Sequence, residues 1–208
     1  MLYLPSLLLA TFLHRLPVSA LPALDVASDV DAEVYSKDVP CPGNLPASPD
    51  FEFPHLIIPI SSSNPTTAYP NTFVPNITAG DISDIFDFDI PESRVGQTCT
   101  IQFLFPRLDQ LKTSFFQLRG FGTYSFSMSA LGVGAVEGNT TFDNRPLPAY
   151  VHGFPKAVSM QPGNAYEIGS TICVAGRISM TMSSFDSSLA WFQDFNPCPM
   201  GLFITYSP

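Results

Sequence analysis

Thr98-Cys99-Thr100-Ile101-Gln102-Phe103-Leu104-Phe105-Pro106 is the stretch on which the reading of the chain turns. Cys99, Ile101, Phe103 and Phe105 fall on one parity, and Thr100, Gln102 and Leu104 on the other. A period of two with one wholly apolar parity is that of a β-strand with one buried face. Gly96 before it and Pro106 after it punctuate both ends, and a cysteine at the first inward position gives the core face a covalent anchor.

Outward from this strand the pattern repeats. In Ile85-Phe86-Asp87-Phe88-Asp89-Ile90-Pro91 the aromatic positions point one way and Asp87 and Asp89 the other, as in a half-exposed antiparallel strand. The turn over 92–97 predicts that this strand and 98–105 pair as a hairpin. His55-Leu56-Ile57-Ile58-Pro59-Ile60 reads as a buried strand that Pro59 pushes to a sheet edge or a bulge, followed by a turn-rich loop from Ser61 to Gly80. Arg107 to Lys112 is too short to assign. Tyr124, Phe126 and Met128 alternate with small polar residues over Thr123 to Ser129, and Gly120 and Gly122 ahead of them predict a bulge or sharp bend.

Residues 130–146 read as a polar surface loop. Strands are expected at Ala149–His152, Ala157–Met160, Tyr166–Cys173 and Ile178–Ser183, with turns at 161–164 and 175–176. Trp191-Phe192 opens an aromatic stretch that ends in the turn Asn196-Pro197-Cys198-Pro199, and Leu202 to Tyr206 closes as a last strand. Strands at this spacing with almost no helical period predict an all-β, antiparallel sandwich or jelly roll.

Composition agrees. The 208 residues carry 18 Phe and 21 Pro, which suit short strands joined by rigid turns. Residues 1–20 read as a secretory signal peptide: the apolar run from Leu2 to Leu13 is too short to span a bilayer, and Val18-Ser19-Ala20 supplies small residues for cleavage. The last residues lack the apolar tail of a lipid-anchor signal, so a soluble secreted or extracellular product without stable membrane insertion is expected. Cleavage would leave 8 basic against 18 acidic residues, a net charge of −10, which argues against nucleic acid or an anionic membrane as partner and suits a mildly acidic medium. Residues 21–53, acidic and then proline-rich, read as a flexible leader or a removable propeptide, and 54–206 as a single domain.

The four cysteines, on an exported chain, predict two disulfides. Three pairings are possible; Cys99 with Cys173 is favoured because both sit at strand ends within the core pattern, and with it Cys41 with Cys198, which would pin the leader beside the last strand. No cysteine or histidine spacing reads as a zinc site, and no cofactor is expected. Asn76-Ile77-Thr78 and Asn139-Thr140-Thr141 are glycosylation sequons in loop contexts, whereas Asn64-Pro65-Thr66 is excluded by its proline. Asp81, Asp84, Asp87 and Asp89 invite a calcium reading. They lack the glycine and closing glutamate of an EF-hand loop, and a solvated strand face explains them more simply. His55 and His152 lie in no nucleophile motif and read as structural, and no spacing selects a catalytic pair among the carboxylates. Tyr69, Tyr150, Trp191 and Phe195 lie in or beside turns and form the candidate ligand platform, because sugar rings stack on exposed aromatic faces.

Residues Pro54 to Pro65, Ile85 to Pro91, Thr98 to Pro106 with Asp109-Gln110-Leu111, Phe192-Gln193-Asp194-Phe195-Asn196-Pro197 and Gly201 to Ile204 together resemble the fungal "ubiquitin 3 binding protein, But two C-terminal" domain family. The resemblance covers 54–206 and implies an exported fungal protein with no assigned catalytic residues. It implies cysteines at positions 99 and 173. The family name implies a partner in the ubiquitin-like conjugation pathway, which a secretory leader would put on the other side of a membrane. The expected function is therefore a secreted, non-enzymatic surface or cell-wall protein that binds glycan or protein. A wall-polysaccharide hydrolase and a host-directed secreted effector are the alternatives.

Overall fold

The computed structural model describes residues 39–150 and 153–208, so the signal-peptide reading of 1–20, most of the expected leader and His152 lie outside the described residues. Among the described residues there is no α-helix, and every strand pairing is antiparallel. Three sheets share one core. The first runs β1 (Phe51–Glu52), β13 (Gly201–Ser207), β5 (Thr98–Phe105), β10 (Asn164–Ile172). The second runs β2 (Leu56–Ser61), β4 (Ile82–Ile90), β11 (Gly176–Ser183), β7 (Thr123–Ser129), β8 (Pro148–Ala149), with β9 (Lys156–Ser159) also on β7. The third runs β3 (Asn76–Ile77), β12 (Ser187–Trp191), β6 (Phe116–Gly120). This is the antiparallel sandwich that the period of two predicts.

The parity of β5 is kept: Cys99, Ile101, Phe103 and Phe105 are buried in the main core with Phe86 and Phe88 of β4, Tyr124 and Phe126 of β7, and Leu202 and Ile204 of β13. Each of these large side chains contributes about 1.5–3 kcal/mol relative to exposure. Trp191 lies at their centre, stacked on Phe86 at 5.9 Å and edge-on to Phe103 at 5.4 Å, so one indole joins all three sheets. Pro59 of β2 sits on an edge strand, where a missing N–H costs nothing in the ladder.

Several sequence expectations are corrected. β4 and β5 do not form a hairpin: β4 pairs with β2 and β11, and β5 with β10 and β13. The connection holds a 3-10 turn at Glu92–Arg94 and carries the chain from one sheet to the other, which lets the two aromatic faces meet across the core. The 130–146 segment is more than a surface loop. Ala135 packs with Ile58, Ile60 and Ile85 in a second small core over the outer face of the second sheet, with Phe142 against it. That cover buries Asp87, which the alternation had placed in solvent.

The described end of the expected leader is also held. Pro40 accepts from the Gln110 amide, Pro49 from Arg94 at 2.7 Å, and Phe51 packs edge-on to Phe203 at 6.4 Å. Gly43 faces Leu104, an off-parity residue of β5 that is nonetheless buried. Cys99 is joined to Cys173, and Cys41 to Cys198.

Candidate functional site

The aromatic run after β12 builds a groove on the first sheet's flank. It is lined by Phe53, Phe73, Phe192, Phe195 and Phe203, with Gln193, Asp194 and Asn196. Phe53 is 40% exposed, Phe73 48% and Phe195 50%, so three rings present faces to solvent. Phe195 stacks on Phe53 at 5.1 Å and meets Phe51 at 6.2 Å, while Phe192 lies parallel to Phe115 at 6.5 Å.

Local hydrogen bonds fix this arrangement. The Gln193 N–H donates to the Phe73 carbonyl at 2.9 Å, which ties the 62–75 loop to the groove. Asp194 and Met200 exchange both backbone hydrogen bonds and close the turn between them. Asp194 Oδ1 accepts from the Asn196 N–H at 3.0 Å and from its side-chain amide at 2.7 Å, and Oδ2 accepts from the Thr113 hydroxyl. The Gln193 amide is likewise committed to Trp191 and Leu202. The polar groups of the groove therefore serve its own shape, and the rings are what it offers a ligand.

Of the sequence-derived platform, Phe195 alone lies in this groove. Trp191 is 0% exposed and cannot stack with a ligand, because its ring is the junction of the three sheets. Tyr150, 92% exposed, belongs to a separate apolar patch with Leu147 and Pro155, and Tyr69 is half-buried in the 62–75 loop. Phe53, Phe73 and Phe192 were not among the candidates: none belongs to a periodic run, and only their spacing next to turns marks them.

The four aspartates do not converge. Asp84 points inward with Phe86 and Phe88, and its Oδ2 accepts from the Asn76 N–H at 2.8 Å; burial pushes its carboxyl up to about 7 against that one hydrogen bond. Asp87 and Asp89 face the other side. Burial raises Asp87, opposed by the neighbouring Ser179 hydroxyl, Arg177 and the Ala135 N–H. Asp89 pairs with His55 at 3.3 Å and Arg177 at 3.6 Å, so both groups serve the sheet surface. Asp81 accepts from the Ser63 N–H at 2.9 Å and the Ser61 hydroxyl at 2.8 Å, which hold its carboxyl below the usual range. No group of three metal-ligating side chains occurs among the described residues. Both sequon asparagines are exposed, Asn139 in the 136–144 turn as expected, but Asn76 on β3 paired with Ala190 rather than in a loop.

Fold and groove together define a disulfide-tied antiparallel β-sandwich module with an aromatic flank. The family described as the ubiquitin 3 binding protein But2 C-terminal domain matches residues 52–197, well over half of the chain, and the protein belongs to that family. No curated protein matches it. Two disulfides fit an extracellular or otherwise oxidising compartment, and no helix among the described residues is long and apolar enough to cross a membrane.

Proposed function

We propose that the chain is a secreted, non-enzymatic surface or cell-wall-associated module that takes a glycan or protein ligand in the groove of Phe53, Phe73, Phe192 and Phe195. The observation that carries this reading is the clustering of half-exposed rings over a floor whose side-chain polar groups are already hydrogen-bonded within the protein. Ring faces bind a sugar's C–H face or a protein's apolar side chain by stacking and burial. Acid–base catalysis needs a carboxylate free to reach the scissile bond, and Asp194 has both oxygens engaged. The family description names a ubiquitin 3 binding protein; the disulfides of this chain support a ligand outside the reducing cytosol.

The test is a pull-down of the purified protein on insoluble chitin, β-glucan and extracted wall protein, with Phe53→Ala/Phe195→Ala as the comparison. Retention that the double variant loses without a change in melting temperature supports the groove. Release of reducing sugar would instead mark a polysaccharide hydrolase, and retention equal in both proteins would move the site elsewhere.

A further inference from the structure

The third sheet turns a polar face outward, and the function above does not use it. β6 contributes Gln117 and Arg119, β12 Ser188 and Ala190, and β3 Asn76, with Thr78 just beyond it, to one shallow polar groove. Asn76 and Gln117 are both cross-strand partners of Ala190, one on each side. With strands about 4.8 Å apart, the alanine leaves a trough roughly 10 Å long from Asn76 toward Gln117, with Arg119 one pleat away. Ile77 is fully buried between the two outward residues of the sequon and locks their direction. Asn76 spends its backbone N–H on Asp84, and its side-chain amide has no hydrogen-bond partner among the described residues. Thr78, two residues on, shares its face, as a strand period of two requires.

We infer that Asn76 is an N-glycosylation site and that the first sugars of its glycan lie in this trough against Gln117 and Arg119. The inference rests on the reading that the chain is exported. In the reaction, Asn76 Nδ2 forms a bond to C1 of a polyprenyl-diphosphate-linked oligosaccharide. The C1–O bond to the diphosphate breaks, the diphosphate leaves with the electron pair, and the amide loses one proton. The N-acetyl and hydroxyl groups of the attached sugar then find an amide and a guanidinium beside them. Asn139 offers the contrast. It stands in an exposed turn where its own carbonyl is held by the Asn144 amide, and the adjacent Gly138 has nothing within reach of a side chain, so a glycan there projects into solvent.

The experiment expresses the full chain in a yeast secretion host, and in parallel a version with residues 1–20 replaced by an established secretion leader. Peptide mass mapping before and after endoglycosidase treatment reads occupancy of both sequons. Release of sugar from the folded protein is then timed at each site. With the replaced leader, the Asn76 peptide is expected to carry the glycan, and release to be roughly tenfold slower there than at Asn139, the factor that 1.4 kcal/mol of contact produces. Gln117→Ala/Arg119→Ala, both on an exposed strand face, should bring the two rates together without altering the melting temperature. An unmodified Asn76 beside a modified Asn139, no modification at either sequon with the replaced leader, or equal release rates in the unaltered protein would each overturn the inference. Modification with the replaced leader but not with residues 1–20 would fail the export reading and leave the site standing.

Discussion

The Trp191 indole N–H donates to Gln193 Oε1 at 3.2 Å, and the same oxygen accepts from the Leu202 N–H at 3.0 Å while Gln193 Nε2 donates to the Leu202 carbonyl at 2.8 Å. One amide thus satisfies the indole at the centre of the core and stands in for a strand partner at the start of β13. Gln193→Ala would strand three buried polar groups, each worth about 1–3 kcal/mol when left unpaired. A loss of about 3 kcal/mol is expected, read as a lower urea midpoint with unchanged slope. Trp191, the single tryptophan, supplies the fluorescence signal. A loss below about 1 kcal/mol would mean that the groups repair among themselves.

Gly201 presses on the same amide. Its φ is 118°, outside what side-chain-bearing residues adopt, and a methyl group there would fall on the Gln193 side chain and the indole nitrogen of Trp191. Gly201→Ala should cost about 2–3 kcal/mol or more through strain and overpacking. Because both substitutions break one network, the double variant Gln193→Ala/Gly201→Ala should lose less than the sum of the two. Additivity in denaturation would show instead that Gly201 matters for its backbone alone.

The two disulfides should contribute comparably. Cys99–Cys173 closes a loop of 74 residues, which the chain-entropy description values at about 4–5 kcal/mol. Cys41–Cys198 spans 157 residues, for about 5 kcal/mol if its native end is held in place. Arg94 on Pro49 and Asp50, the Gln110 amide on Pro40 and the pairing of β1 with β13 provide that hold. Read from the sequence alone, 21–53 is a leader outside the core, which would make this bridge the lesser one. Melting of Cys41→Ala/Cys198→Ala against Cys99→Ala/Cys173→Ala decides the matter; a cost below about 1 kcal/mol for the former would return 39–53 to the status of a loose tether.

What the sequence made legible follows one physical rule. Wherever a run alternated strictly, as in 98–105, 123–129 and 178–183, the strand and its inward face are where the alternation put them. Alternation says which face is inward and nothing about what lies opposite. Two strands with aromatic inner faces and a short connection fit a hairpin or a pair facing across a core equally well, and β4 with β5 takes the second course. The same limit hid the cover on the outer face of the second sheet, where Ala135 and Phe142 come from a segment without a period. It also hid the groove, because Phe53 and Phe73 belong to non-repetitive chain brought together by tertiary contacts. Trp191 is buried for a related reason: proximity to a turn in sequence does not fix which way β12 faces.

Asp84 makes stability depend on pH, and the sign follows from its surroundings. It is fully buried on the inner face of β4, next in its ladders to Pro59 of β2 and Met182 of β11. Its Oδ2 accepts from the Asn76 N–H and its Oδ1 has no partner. The two influences on its carboxyl are burial, which raises it to about 7, and that hydrogen bond, which opposes the rise; no neighbouring charge contributes. A folded value above the unfolded one of 3.8 means that the native state holds a proton that the unfolded chain has released. The stabilisation is therefore complete below the unfolded value, falls as pH rises toward 7, and is gone above it. At 1.36 kcal/mol per pH unit the span corresponds to a loss on the order of 4 kcal/mol. Asp84→Asn keeps the shape and the acceptor for the Asn76 N–H but cannot ionise. Its urea midpoint should lack the decline that Asp84 imposes on the unaltered protein between pH 4 and 8, so that the two curves diverge as pH rises and the variant becomes the more stable near neutrality. Glu52 and Asp87 are also raised by burial and remain in both proteins, so their contribution cancels in the difference. Parallel curves over that range would show that water or a rearranged β3 reaches the Asp84 carboxylate and carries its charge.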